Sequence, residues 1–162
     1  MMIRLFASLL ATLFVLAPVA VQAKVQSQAA PAFSSSRIIV EPRGRGPDII
    51  FIPGLGSTGS AWRSTADRLD NRYRVHLVTL RGFGETQIGD NVSGGLAGPA
   101  ASEIERYIRE QRIDRPAVIG HSLGGQIALR VAADMGDRIG RVMVVDSSPF
   151  FPSLIDARTT SD

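Results

Sequence analysis

Residues 116–136, Pro-Ala-Val-Ile-Gly-His-Ser-Leu-Gly-Gly-Gln-Ile-Ala-Leu-Arg-Val-Ala-Ala-Asp-Met-Gly, read as a strand, a tight turn and a helix, with Gly120-His121-Ser122-Leu123-Gly124-Gly125 at the turn. A chain that leaves a short apolar strand, Ala117-Val118-Ile119, and enters a helix within a few residues forces the turn residue into strained backbone angles and lifts its side chain clear. Ser122 holds that place, which makes it a candidate nucleophile. Gly120 and Gly124 carry no Cβ, so strand and helix can approach closely, while the amides opening the helix at Leu123 and Gly124 point toward an incoming oxyanion. Ile127, Leu129, Val131, Ala132 and Met135 make the helix apolar on several sides, as suits burial behind a sheet, and Gly136 is placed to end it.

Upstream of this stretch the pattern is alternating strands and helices. Arg37 to Glu41 reads as a strand, and the Pro42–Pro47 punctuation turns it toward Asp48-Ile49-Ile50-Phe51-Ile52. The second strand is apolar almost throughout, which predicts burial on both faces at the centre of a mostly parallel sheet. Pro53-Gly54-Leu55-Gly56-Ser57 follows as a Gly-rich loop, leading into a short helix over Ser60 to Leu69. Tyr73 to Leu80 is a third strand, and Leu96 to Arg112 a helix with Leu96, Ala100, Ile104, Tyr107 and Ile108 at helical spacing. Downstream, Arg141 to Val145 is a last strand ending at Asp146, and residues 150–162 show no pattern. The order β, β, α, β, α, β, α, β predicts an α/β, three-layer, doubly wound, mostly parallel sheet.

Gly120, Ser122 and Gly124 in this setting resemble the G-x-S-x-G nucleophile elbow of the α/β-hydrolase superfamily of serine hydrolases, and the likeness extends over nearly the whole chain after Ser36. The resemblance implies Ser122 as nucleophile and the backbone amides of Leu123 and Leu55 as the oxyanion hole, Leu55 because the loop after the central strand supplies the second donor. Where the family often has His-Gly this chain has Pro53-Gly54, and Thr79 stands where an aspartate is common ahead of Arg81-Gly82-Phe83-Gly84. The family continues through a cap, two more strands, an acid after the seventh strand and a histidine after the eighth. None of these has a counterpart here, so the likeness is to an amino-terminal portion lacking the carboxyl-terminal strands.

Seryl acyl transfer needs a base within hydrogen-bond reach and an acid to orient that base. The sequence holds only two histidines. His76 lies within a strand, where a packed imidazole is expected, and His121 precedes Ser122, so the two side chains leave the backbone on opposite sides. Asp146 sits at the carboxyl end of its strand, where a minority of the family places the acid, but it has no histidine to orient. The expectation is an exported serine hydrolase acting on an ester-like acyl bond, inactive as this chain alone. The alternative is a non-catalytic fragment or degenerate member that at most binds a small acyl ligand. The carboxyl-terminal strand, with the family's next strands absent, is expected to leave an open apolar edge where Val144→Lys would reduce self-pairing.

Composition bounds the rest. With 162 residues, 44% of them hydrophobic, the chain suits one globular domain. Arg4, an apolar run from Leu5 to Val21 and Val21-Gln22-Ala23 mark residues 1–23 as a signal peptide, with a membrane anchor as the alternative reading, and imply a periplasmic or secreted bacterial protein. Residues 24–36, rich in Gln, Ala and Ser, read as a flexible linker, and 37–162 as a partial hydrolase domain. Cysteine is absent, which excludes disulfides and thiol catalysis. Removing Arg4 with the leader takes 18 basic residues to 17 against 15 acidic ones, a formal charge of +2. Arg106, Arg109 and Arg112 are interleaved with Glu103, Glu105 and Glu110, the pattern of a solvated helix face, not of a nucleic-acid footprint. The expected partner is a small acyl or ester substrate, with no nucleic acid, no stable membrane span after signal removal, and no cofactor or metal.

Overall fold

The computed structural model describes residues 32–148. The expected signal peptide, most of the expected linker and residues 149–162 lie outside them. Five strands form one sheet in the order β1-β3-β2-β4-β5. They are β1 (Ile38–Gly44), β2 (Asp48–Ile52), β3 (Arg74–Leu80), β4 (Ala117–His121) and β5 (Arg141–Val145). All neighbouring strands are parallel except β1, which runs antiparallel along β3. The continuous apolarity of β2 has the predicted consequence: it lies at the sheet centre, and Ile50, Phe51 and Ile52 are fully buried.

β1 runs past Pro42 and Arg43, where a turn was expected. Proline is tolerated there because β1 is an edge strand, and its missing N–H leaves no ladder partner unpaired on the outer side. The expected helix over 60–69 is also revised, to a 3₁₀ turn at Gly59–Trp62 followed by a single α-turn, α1 (Arg63–Ala66). The Thr58 hydroxyl caps that turn by accepting from the Ser60 amide. Trp62 packs on Phe51 with ring centroids 4.9 Å apart, so one aromatic contact fixes the segment in place of a long amphipathic face.

Two layers of side chains result. On one face α2 (Ala97–Glu110) and α3 (Leu123–Met135) cover Ile50, Ile52, Val78, Leu80 and Val118. Ile104 and Ile108 of α2 are completely buried, each contributing roughly 1.5 to 3 kcal/mol. Pro99 is compatible with α2 because it falls in the first turn, whose amides have no intrahelical acceptor. Among the described residues the other face is covered by the turn, α1 and the segment just after it, through Trp62, Ala66, Leu69 and Tyr73 against Ile49, Phe51, Val75 and Leu77.

The end of the expected linker is corrected as well. Phe33 stacks edge-on against Tyr107 at 4.9 Å, and the Arg106 guanidinium lies 4.4 Å over its ring and donates to the Ser34 carbonyl. Ser35 is buried and its hydroxyl accepts from the Arg37 and Ile38 amides. Residues 33–36 are therefore part of the packed domain, held by aromatic and capping contacts that a Gln/Ala/Ser composition does not advertise.

The buried histidine belongs to the frame. His76 in β3 is 1% exposed, with Nε2 2.8 Å from Asp48 Oδ1 and Nδ1 2.7 Å from the Tyr107 hydroxyl. A carboxylate only accepts, so Nε2 carries the proton and Tyr107 donates to Nδ1. Burial holds His76 below its ordinary value of 6.5, against the pull of Asp48. Burial pushes Tyr107 up to about 12. Burial also acts to raise Asp48, but hydrogen bonds from Arg74 and His76 outweigh it and hold the carboxyl below its usual range.

A pH dependence follows from the direction of the His76 shift. Between the folded and unfolded values the unfolded chain binds a proton that the folded chain does not, so stability is full above pH 6.5 and falls as pH drops below it. The urea midpoint is expected to fall between about pH 7.5 and about pH 5, by at most about 1.4 kcal/mol of stability per pH unit, and His76→Gln is expected to flatten that slope. An unchanged midpoint in the parent chain over that window would remove the buried imidazole as the cause.

Candidate active site

β4 ends at His121 and α3 begins at Leu123, so the whole strand-to-helix reversal is carried by Ser122. Its φ of 52° and ψ of −119° lie where a side chain is strained. Three backbone bonds hold it there. The Ser122 amide donates to the Val145 carbonyl at 3.0 Å, and the Ser122 carbonyl accepts from the Gly125 and Gln126 amides. The Ser122 hydroxyl itself has no hydrogen-bond partner among the described residues.

Two glycines make the turn possible by absence of a Cβ. A Cβ on Gly120 would stand 2.0 Å from the Gly124 carbonyl oxygen, and one on Gly124 would stand 2.3 Å from the Ile52 carbonyl oxygen. The second contact explains how the loop after β2 reaches the elbow. The helix start rests on the end of β2, and at Gly54 a Cβ would meet His121 Nδ1 at 2.9 Å and Ser122 Cβ at 3.3 Å. Leu55 follows, 67% exposed. Neither the Leu55 amide nor the Leu123 amide donates to a protein acceptor among the described residues. The Leu55 N–H, in the loop after β2, and the Leu123 N–H, first of α3, are thus both unspent.

Thr79 was singled out only as a departure from the family pattern. It is buried, and its hydroxyl accepts from the Gly59 amide at 2.8 Å, tying the end of β3 to the segment that follows the Leu55 loop. A hydroxyl within the apolar end of β3, between Val78 and Leu80, was the signal available for it. Beside the elbow a small cavity of about 130 Å³ is lined by Pro53, Gly54, Ala61, Trp62 and His121.

The base and acid are not assembled among the described residues. His76 is committed to Asp48 and Tyr107 in the body of the sheet. The His121 side chain is 44% exposed and, among the described residues, forms no ion pair but a long one with Asp146, Nε2 to Oδ2 at 4.0 Å, the Asp146 side chain being 92% exposed. An exposed pair at that distance contributes almost nothing to stability. Asp146 does close β5 at the same sheet edge as Ser122, in a left-handed conformation with φ 47°, but no imidazole stands between them. Among the described residues no cluster of three metal-ligating side chains occurs.

Comparison with known proteins adds the following. A profile of the Alpha/beta hydrolase family matches residues 49–160. A pimeloyl-(acyl-carrier protein) methyl ester esterase of Aeromonas hydrophila is 36% identical over 114 residues, covering 70% of this chain and 43% of the relative. One from Aliivibrio fischeri is 33% identical over 111 residues, 68% of this chain and 40% of the relative. The chain therefore spans about two fifths of the length of these curated relatives. Among solved structures, a marine microorganism esterase superposes with a TM-score of 0.60 at 27% identity over 68% of this chain and 41% of its own. An alpha/beta hydrolase fold protein from Burkholderia ambifaria gives a TM-score of 0.60 at 26% identity, covering 68% and 40%.

Proposed function

Because the chain belongs to the alpha/beta hydrolase family, we propose that it carries the nucleophile and oxyanion half of an ester-hydrolysing serine hydrolase. The observation that supports this most is Ser122 held at φ 52° between β4 and α3 with an unbonded hydroxyl. In this reading Ser122 Oγ attacks the ester carbonyl carbon, and the Leu123 and Leu55 amides donate to the oxygen that becomes negative. The base that takes the Ser122 proton and the acid that orients it are supplied from outside the described residues. The esterase relatives favour a carboxylic ester over other acyl bonds as the substrate class.

A test follows directly. The 162-residue chain is expected to hydrolyse p-nitrophenyl butyrate no faster than its Ser122→Ala variant, since neither imidazole reaches Ser122. If the coding sequence beyond Asp162 supplies a strand ending in aspartate and then a histidine loop, the extended protein is expected to be active. Ser122→Ala should then lower kcat by about 10⁴-fold or more. Ser122-dependent turnover by the short chain would overturn the missing-base reading; an extended chain indifferent to Ser122→Ala would overturn the esterase reading.

The second reading, a non-catalytic chain that binds a small acyl ligand, is favoured by one observation, the exposure of both His121 and Asp146. The same pair of assays decides between the two.

Export is proposed on the sequence alone, from Arg4, the apolar run and Val21-Gln22-Ala23. The mature protein is expected to begin at Lys24. An intact mass that retains residues 1–23 would instead support an anchored protein.

A further inference from the structure

The strand ends opposite the Ser122 elbow carry a second, larger concavity. One cavity of about 400 Å³ is lined by Asp48, Ile49, Tyr73, Arg115, Ala117 and Arg141 among others. A second, of about 460 Å³, adjoins it through the shared Arg115 and is lined by Arg109, Arg112, Arg138, Asp114 and Asp137. Both fall in the size range of small-molecule sites. Asp48, Ala117 and Arg141 are the first residues of β2, β4 and β5, so this trough lies at the amino edge of the parallel sheet.

It gathers four of the seven described arginines that have neither an ion pair nor a side-chain hydrogen bond, the other three being Arg45, Arg68 and Arg72. Arg43 pairs with Asp67 and Asp70, Arg74 with Asp48, Arg106 with Glu103 and Glu110, Arg109 with Glu105, and Arg130 with Asp134. Arg112, Arg115, Arg138 and Arg141 have no ion pair or side-chain hydrogen bond among the described residues, although Asp114 and Asp137 line the same trough. In the first cavity the single carboxylate, Asp48, is already bonded to Arg74 and His76. Arg115 and Arg141 therefore remain as two uncompensated positive charges beside the apolar walls of Ile49 and Ala117.

Arginines near helix carboxyl ends often serve the helix dipole, and that accounts for Arg112 and Arg138, which follow α2 and α3 closely. It does not account for the other two. Arg115 lies five residues beyond the end of α2, and Arg141 opens β5. Arg115 also sits at φ 43°, a conformation that disfavours any residue with a Cβ. A guanidinium matches a phosphate or carboxylate through paired N–H donors, and two uncompensated guanidinium groups match a doubly charged head.

We propose that the trough at the amino edge of the sheet is a second ligand site, which binds a small phosphate monoester with its head on Arg115 and Arg141 and its apolar body against Ile49 and Ala117. It is separate from the elbow and does not depend on Ser122 chemistry.

Hexyl phosphate titrated into the full chain by isothermal calorimetry tests it, with inorganic phosphate, hexanoate and hexanol as comparison probes. Hexyl phosphate is expected to bind saturably at about one site per chain. Inorganic phosphate should bind more weakly for want of the apolar body, hexanoate more weakly for want of the second charge, and hexanol not at all. Arg115→Gln and Arg141→Gln should each weaken hexyl phosphate by about tenfold or more. Arg130→Gln, on the exposed face of α3, should leave the affinity unchanged, and circular dichroism should show all three variants folded. No saturable binding of hexyl phosphate up to about 10 mM would overturn the proposal. So would equal weakening by Arg130→Gln, which would make the effect one of net charge, and so would binding that survives loss of Arg115 and Arg141 together.

Discussion

Gly120→Ala is expected to destabilise the domain by about 3 kcal/mol, a large share of the roughly 5 to 15 kcal/mol typical of a folded domain. The added Cβ would stand 2.0 Å from the Gly124 carbonyl oxygen and 2.6 Å from the Gly125 amide nitrogen. Both are backbone atoms of the first turn of α3, so no side-chain rotation relieves the clash. The helix must move off β4, and with it Ile127, Ala128 and Val131, all fully buried. Gly98→Ala is the matched control. A Cβ there meets nothing within 4 Å, and the residue lies inside α2, so a gain of up to about 1 kcal/mol is expected from helix propensity and lost unfolded-state freedom. Urea unfolding of the three proteins measures both. A Gly120→Ala variant within about 1 kcal/mol of the parent would show that strand and helix are not pressed together at the elbow.

The contrast between those glycines shows what was legible in the sequence and what was not. Gly120 and Gly124 sit at fixed offsets from Ser122, inside a strand and helix that are each marked by their own apolar pattern, so the local reading and the tertiary fit coincide. The central place of β2 was legible for the same reason, because a residue run without polar alternation has no water-facing side. What the pattern missed is held by single long-range contacts. Phe33 on Tyr107, Thr79 on the Gly59 amide and Pro42 in an edge strand each depend on a partner 20 or more residues away. The site divides in the same way. Ser122, the start of α3 at Leu123 and the loop bearing Leu55 come from one local turn and one adjacent strand end, whereas a base and acid are placed by elements far along a chain. Among the described residues, the one imidazole and carboxylate that approach each other at the elbow's edge of the sheet are His121 and Asp146, at 4.0 Å, the closer His76–Asp48 pair lying in the body of the sheet.

The two edges of the sheet differ in a way that predicts association. On β1, Glu41, Pro42 and Arg43 interrupt the outer ladder with charge and a missing donor, the usual protection against pairing with another chain. β5, Arg141–Val145, has no such protection after its first residue, and no described strand pairs with its outer side. Val142 is 38% exposed and Met143 57% exposed. Met143 lies beside Ile119 on the face that, among the described residues, is covered only by Trp62, α1, Leu69 and Tyr73, so its burial has to come from elsewhere. The chain is therefore expected to self-associate with rising concentration, two copies pairing through β5 and burying Met143, a gain of roughly 1.5 to 3 kcal/mol for each such side chain. The sequence pointed to Val144 as the place for a disrupting charge, and the structure moves it by one residue. Val144 Cγ1 lies 3.0 Å from where a Cβ on Gly125 would stand, so Val144 faces α3, and a lysine there would break the core instead of the dimer. Met143→Lys is the informative change. By sedimentation equilibrium it should weaken association by about tenfold or more while leaving the unfolding midpoint within about 1 kcal/mol of the parent. Val144→Lys should lose cooperative unfolding. A parent chain that stays monomeric at high concentration, or a Met143→Lys variant that associates as tightly as the parent, would show that β5 is not the surface through which copies meet.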